Sequence, residues 1–123
     1  MSQASNLDRL YARFSDTWSP QIVGELNGQQ VKLVKLEGDK CPWHAHAEED
    51  EMFLVLEGTL DIHLRGEVVP VAAGEFYIVR QGAEHRVVPR GQVKCLLFEP
   101  ATTAHTGKIQ AEITRLHLDR LID

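Results

Sequence analysis

Three imidazoles and one carboxylate are spaced to serve a single ion: His44, His46 and Glu51, answered far downstream by His85. Neutral imidazole suits Zn, Cu, Fe and Ni, and a carboxylate admits Mn as well. Four protein donors on an octahedral ion leave two positions for water or substrate, as a working site requires. On a strand, residues two apart point to the same side, so His44 and His46 share a face. The short acidic bend Ala47 to Asp50 brings Glu51 across from that pair. His85 must arrive from a distant strand, which an antiparallel barrel allows. Spacing alone leaves a second reading open, in which these are packed histidines gathered by chance.

The elements that would position these donors are short and β-like. Ile22 to Leu26 and Gln30 to Leu36 flank Asn27-Gly28, a dipeptide suited to a type I′ hairpin because both residues tolerate positive φ. Gly38 to Pro42 reads as a bend. Met52 to Leu56 is a dense strand ending at a turn, Glu57-Gly58. Thr59 to Leu64 alternates, with Leu60, Ile62 and Leu64 on one face and Asp61 and His63 on the other, a parity that Arg65 continues. Val68 to Val71, Phe76 to Val79, His85 to Val88 and Val93 to Phe98 follow, with Pro89-Arg90-Gly91 as the last tight turn. Such strands, spaced by Gly and Pro, predict an all-β antiparallel sandwich or barrel.

Before the strands, Ser5 and Asp8 suggest a capping box. Leu7, Leu10, Tyr11 and Phe14 form one helical stripe that Pro20 prevents from continuing. Val93 to Phe98 is apolar on both parities except at Lys94, so both its faces need cover, the outer one from this helix or from a second subunit. We expect a helical extension over 1–20, a barrel over 21–100 and an arm over 101–123. Ile113, Leu116, Leu118, Leu121 and Ile122 give the arm an apolar set compatible with either a helix or an extended segment.

A chain of 123 residues fits one domain with a core that needs no disulfides, and Cys41 and Cys95 suggest no disulfide framework. A formal net charge of -5 disfavours a general nucleic-acid partner. No apolar run has membrane-spanning length, and the first ten residues lack the pattern of a signal peptide, so a cytoplasmic protein is expected.

Two stretches match a known pattern. Gly38-(five residues)-His44-Ala45-His46-(four residues)-Glu51-(six residues)-Gly58 resembles the first motif of the cupin superfamily in each signature position. Gly74-(seven residues)-Gly82-Ala83-Glu84-His85 resembles the second, and the fifteen residues between Gly58 and Gly74 are similar to the spacing of small single-domain cupins. More loosely, the neighbourhoods of Trp18-Ser19-Pro20 and Phe98-Glu99-Pro100 resemble small conserved-barrel cupins of the mannose-6-phosphate isomerase-like group. The resemblance implies a jelly-roll β-barrel with one divalent transition metal (Mn, Fe, Ni or Zn) held inside by His44, His46, Glu51 and His85. It also favours a homodimer. Arg80 stands where the second motif usually has proline, and Pro89 where it usually has asparagine.

Other residues are candidates with a blander reading beside each. Arg80 is an anion anchor at the mouth or, more simply, a solvated arginine in a turn. Cys41 lines the mouth or is a buried inert thiol. Trp43, Phe53 and Tyr77 wall a pocket or pack in the core. Glu84 orients His85 or is exposed. Glu48, Glu49 and Asp50 form most simply a solvated bend that makes the neighbourhood negative, with a direct metal role as the lesser reading, His63 faces outward, and His105 and His117 carry no signal.

Three functions compete. One is a metal-dependent enzyme on a small polar molecule such as a sugar or carboxylate; its isomerase version polarises a carbonyl and stabilises an enediolate while a base moves the proton. No residue outside the ligand set is an obvious base. The second is a metal-dependent dioxygenase using the same four donors. The third is a non-catalytic binder of a small molecule. Affinity for the metal should fall as pH drops through the histidine range near ~6.5, where protons compete for imidazole.

Overall fold

The computed structural model describes residues 2–121; Ile122, counted above in the arm's apolar set, lies outside them. Among the described residues, seven strands follow one short helix: α1 (Leu7–Tyr11), β1 (Gln21–Leu26), β2 (Gln29–Leu36), β3 (Glu51–Leu64), β4 (Glu67–Ala72), β5 (Phe76–Val79), β6 (His85–Pro100) and β7 (Asp119–Arg120). The strands form one sheet in the order β4-β3-β6-β2-β1-β7, with β5 joined to β3. The sheet folds over on itself as a jelly roll without closing into a continuous hydrogen-bonded barrel. Asn27 and Gly28 both take positive φ (51° and 82°), as the hairpin between β1 and β2 demands.

Two expected turns are instead irregularities inside long strands. Glu57-Gly58 lies within β3, and Pro89-Arg90-Gly91 lies within β6. The β3–β6 register shifts between Val55 and Glu57 and again between Glu57 and Thr59. Gly58, at φ +85°, sits so close to the neighbouring strand that a Cβ would stand 2.6 Å from the Gln92 carbonyl oxygen. The glycine therefore makes a bulge that bends a strand rather than ending it. The bend lets β3 serve two partners on one edge: Glu51 to Leu54 pair with β5, and Thr59 to Leu64 pair with β4. β6 runs along its other edge.

Alternation then sorts the side chains. Val34 and Leu36 of β2, Phe53, Val55, Leu60 and Ile62 of β3, and Val87, Val93, Cys95 and Leu97 of β6 face one interior. The outer face of β2 and β6 is covered from within the chain. Leu10 and Tyr11 of α1 bury against Leu33, with Leu7, Phe14, Val23, Leu56, Leu96 and Leu121 around them. The Tyr11 hydroxyl donates to the Cys95 carbonyl. Cover for the two-sided strand thus comes from α1, and that strand no longer argues for a second subunit. The helix is capped by Asn6, whose side chain accepts from the Arg9 N–H at 2.8 Å. Ser5 is not the cap.

Among the described residues, the C-terminal arm forms no helix. It runs through successive turns from Ala101 and reaches β7, parallel to β1. Ile113 is inserted into the main core with Trp18, Cys41 and Phe53.

Candidate metal centre

Glu51 opens β3 and His85 opens β6, while His44 and His46 lie on the segment between β2 and β3. One isolated antiparallel bridge joins the two motifs: His44 and His85 each donate a backbone N–H to the other's carbonyl, both at 2.9 Å. The Gly82 N–H then bonds to the His46 carbonyl at 2.8 Å. Bridged residues carry their side chains on the same side, and His46, two positions from His44, follows them.

The result is a compact donor set. One ligand atom from each of His44, His46, Glu51 and His85 lies within 4.8 Å of the others, and all four residues are buried. Glu51 Oε1 is 3.3 Å from His46 Nε2 and 3.5 Å from His85 Nε2. The Pro42 carbonyl lies 2.8 Å from His44 Nδ1, and the Ala83 carbonyl 3.0 Å from His85 Nδ1. A carbonyl only accepts, so each Nδ1 carries the proton and each Nε2 presents a lone pair to the centre. His46 Nδ1 and Nε2, Glu51 Oε1 and His85 Nε2 are buried without any hydrogen-bond partner. Orphaned polar atoms of this kind are costly, and a cation among them would satisfy several at once. The residues present therefore fit a divalent metal.

The electrostatics agree. Burial, opposed by the Pro42 carbonyl, pushes the His44 imidazole down to about 4, so it is neutral and ready to donate. Burial opposes ionisation of Glu51, yet the adjoining imidazoles of His46 and His85 hold its carboxyl well below the usual range. Around the donors lie Cys41, Phe53, Trp18 and Ile113, which line a cavity of about 40 Å³ beside His44 and Glu51. Phe53 meets the His85 ring edge-on at 6.3 Å. The Cys41 thiol, 3.9 Å from His44 Nδ1, is pushed up to about 11 by burial and is an inert lining group.

The remaining candidates separate cleanly. Trp43 walls an outer groove of about 690 Å³ that also reaches His44 and His46, and Arg65 stacks over its ring at 3.8 Å. Tyr77 packs at the β4–β5 side, away from the donors. Arg80 is solvent-facing and pairs with Asp50 at 3.4 Å, while Asp50 also accepts from the Gln81 N–H. Glu84 is exposed and pairs with Arg65, so the Ala83 carbonyl, not Glu84, orients His85. Glu48 is exposed, and Glu49 accepts from the Thr102 hydroxyl. His63 is half-buried on the polar parity of β3, and His117 is exposed.

Two features escaped the sequence reading. His105 and Thr106, on the arm, line the same small cavity as His44 and Glu51. Burial pushes the His105 imidazole down to about 4. The arm is held there by Gly107 (φ +58°), which packs so tightly on Ala45 that a Cβ would stand 2.2 Å from the Ala45 carbonyl oxygen. The second feature is Glu99 on β6, buried and 2.7 Å from the equally buried Lys32 Nζ, with its own Oε2 unpartnered. Burial first, and then the negative charge of Glu51, push its carboxyl well above the usual range against the pull of Lys32. In the sequence, Lys32 and Glu99 are one charge each in unrelated strands. Only the β2–β6 register, which sets Gln30 opposite Glu99, brings them together.

Residues 32–100 match the family model described as the Cupin domain. A solved structure of a cupin-2 domain containing protein from Shewanella frigidimarina is similar at 40% identity and a TM-score of 0.76, covering 78% of this chain and 93% of that one. An uncharacterised protein of Bacillus subtilis (strain 168), YdbB, is 30% identical over 87 residues, 70% of this chain and 76% of that protein. Tetracenomycin polyketide synthase protein TcmJ of Streptomyces glaucescens is 29% identical over 75 residues, 61% of this chain and 50% of TcmJ. Among the described residues no helix is long and apolar enough to cross a membrane.

Proposed function

The chain belongs to the cupin family, and we propose that His44, His46, Glu51 and His85 hold one divalent transition metal and that the protein is a metal-dependent enzyme acting on a small polar molecule, a sugar or a carboxylate. The observation that carries this reading is the buried donor set, four ligand atoms within 4.8 Å, several of them unpartnered. A bound metal supplies Lewis acidity that polarises a substrate oxygen. The Pro42 and Ala83 carbonyls fix the His44 and His85 rings with Nε2 facing inward. Glu51 supplies the negative charge that offsets the cation. Phe53, Ile113 and Trp18 keep the inner wall apolar and exclude water.

Glu99 is the proton-transfer group that we assign outside the ligand set. Its Oε1 is anchored by Lys32 and its carboxyl is held well above the usual range, so it serves as a proton donor first and as a base once that proton has left. That supports the isomerase version of the reading, in line with the resemblance to the mannose-6-phosphate isomerase-like group. A homodimer belongs to the same proposal. Its support is the family resemblance together with Phe76 and Val68, which are 61% and 50% exposed on β5 and β4.

The reading is tested by assaying the metal-loaded protein, with and without oxygen, against a library of sugars, sugar phosphates and hydroxy acids. Turnover that proceeds anaerobically and falls in Glu99→Gln at unchanged metal content supports it. Oxygen consumption coupled to turnover would move the assignment to a dioxygenase, and ligand binding without turnover to a non-catalytic binder.

A further inference from the structure

Between β2 and the C-terminal arm lies a cavity of about 410 Å³ that shares His105 and Thr106 with the wall of the donor cavity but contains none of the four donors. Its volume is in the range of small-molecule sites, roughly 300–1,000 Å³. Its lining is one-sided in charge: Lys32, Lys108, Arg115 and Arg120 contribute cations, His105 and His117 imidazoles, and no Asp or Glu lines it. This stands out in a chain whose formal net charge is -5.

Two of these cations are answered by acids outside the lining, Lys32 by Glu99 and Arg120 by Glu25. Lys108 and Arg115 form no ion pair among the described residues. In the same lining, the Thr103 hydroxyl is buried, with the residue only 8% exposed, and has no hydrogen-bond partner. A cavity whose lining holds a buried unpartnered hydroxyl, a buried ammonium and two exposed cations without an ion pair is what a small oxyanion satisfies.

We propose that this cavity is an anion-binding site, taking a small ligand through a carboxylate or phosphate group. The Thr103 hydroxyl and Lys32 hold the group from within, and Arg115 and Lys108 hold it from the rim. The site is built without the metal donors and does not depend on their occupancy. Because His105 and Thr106 divide it from the donor cavity, a ligand there lies against the centre's outer wall.

The test titrates the ¹⁵N-labelled full-length chain separately with inorganic phosphate and with succinate, in both metal-free and Zn-loaded protein, following backbone amide shifts. Saturable shifts at Thr103, His105 and Thr106 are expected with at least one anion and in both metal states; which anion responds identifies the phosphate or the carboxylate source. Thr103→Val and the surface pair Lys108→Gln/Arg115→Gln should each weaken binding about tenfold, as loss of a charge-assisted hydrogen bond would. The Thr103→Val and rim variants spare the Lys32–Glu99 pair, and their amide spectra check that each keeps the parent fold. The proposal is overturned if neither anion shifts these amides, if the variants bind as the parent does, or if the response occurs only in Zn-loaded protein, which would assign the anion to the metal.

Discussion

His44 and His85, remote in sequence, are locked by two reciprocal backbone hydrogen bonds of 2.9 Å, which bring their imidazole rings to 4.3 Å between centroids. The bridge is made of main chain, so the site's shape does not depend on the side chains that would hold the ion. Donors already facing one another cost little further ordering when a cation binds.

Replacing a donor should therefore remove the metal while leaving the fold. Glu51→Gln and His46→Ala are each expected to weaken Zn affinity by at least about 100-fold, the upper end of what loss of a mere supporting residue costs. Competition with a chromophoric chelator measures this, alongside circular dichroism to check the fold. A loss below about tenfold would argue against a direct donor role.

Acid sensitivity follows from burial. His44 and His105 both titrate at about 4 in the folded chain, against ~6.5 when unfolded. Between these values the unfolded chain binds more protons, so stability rises with pH through that window and is lost as pH falls from about 6.5 towards 4. Each group contributes on the order of 1–3 kcal/mol. Urea midpoints of metal-free protein across that range measure it, and a flat profile contradicts it. The lowered His44 also revises the expectation of metal loss near ~6.5, because protons compete for that ring only at lower pH.

The arm should detach when its contact with the donor segment is spoiled. Gly107→Ala meets both a positive φ and the Ala45 carbonyl, and a cost of about 1–3 kcal/mol is expected for the strained backbone. Limited proteolysis should then cut within 101–118 while the strands stay intact. Unchanged protection of the arm would show that Gly107 is not what holds it.

The two motifs and the strand parities were legible because their physics is local: alternation decides which face a residue occupies, and two positions on a strand decide that His44 and His46 agree. The bulge at Gly58 was read as a turn because a positive-φ glycine serves either purpose, and only the cross-strand contact with Gln92 distinguishes them. His105 and Lys32 carried no pattern, and Glu99 entered only through the loose resemblance of its neighbourhood. Their importance comes from the β2–β6 register and from a loop crossing the site, both long-range facts.

The Lys32–Glu99 pair offers a sharp contrast between deletion and replacement. Lys32→Met leaves the buried Glu99 carboxyl without its partner and should cost about 1–3 kcal/mol, whereas Lys32→Met with Glu99→Leu should recover most of it. Denaturant unfolding of the two variants measures the difference. Equal destabilisation of single and double variants would show that the pair is not coupled.

The central claim is that four buried donors hold one metal, and elemental analysis of the purified protein tests it most directly. We predict about one divalent transition metal per chain in the parent, or stoichiometric uptake when Mn, Fe, Ni or Zn is supplied, and none in Glu51→Gln. A parent that contains no metal and takes up none of the four would contradict the account.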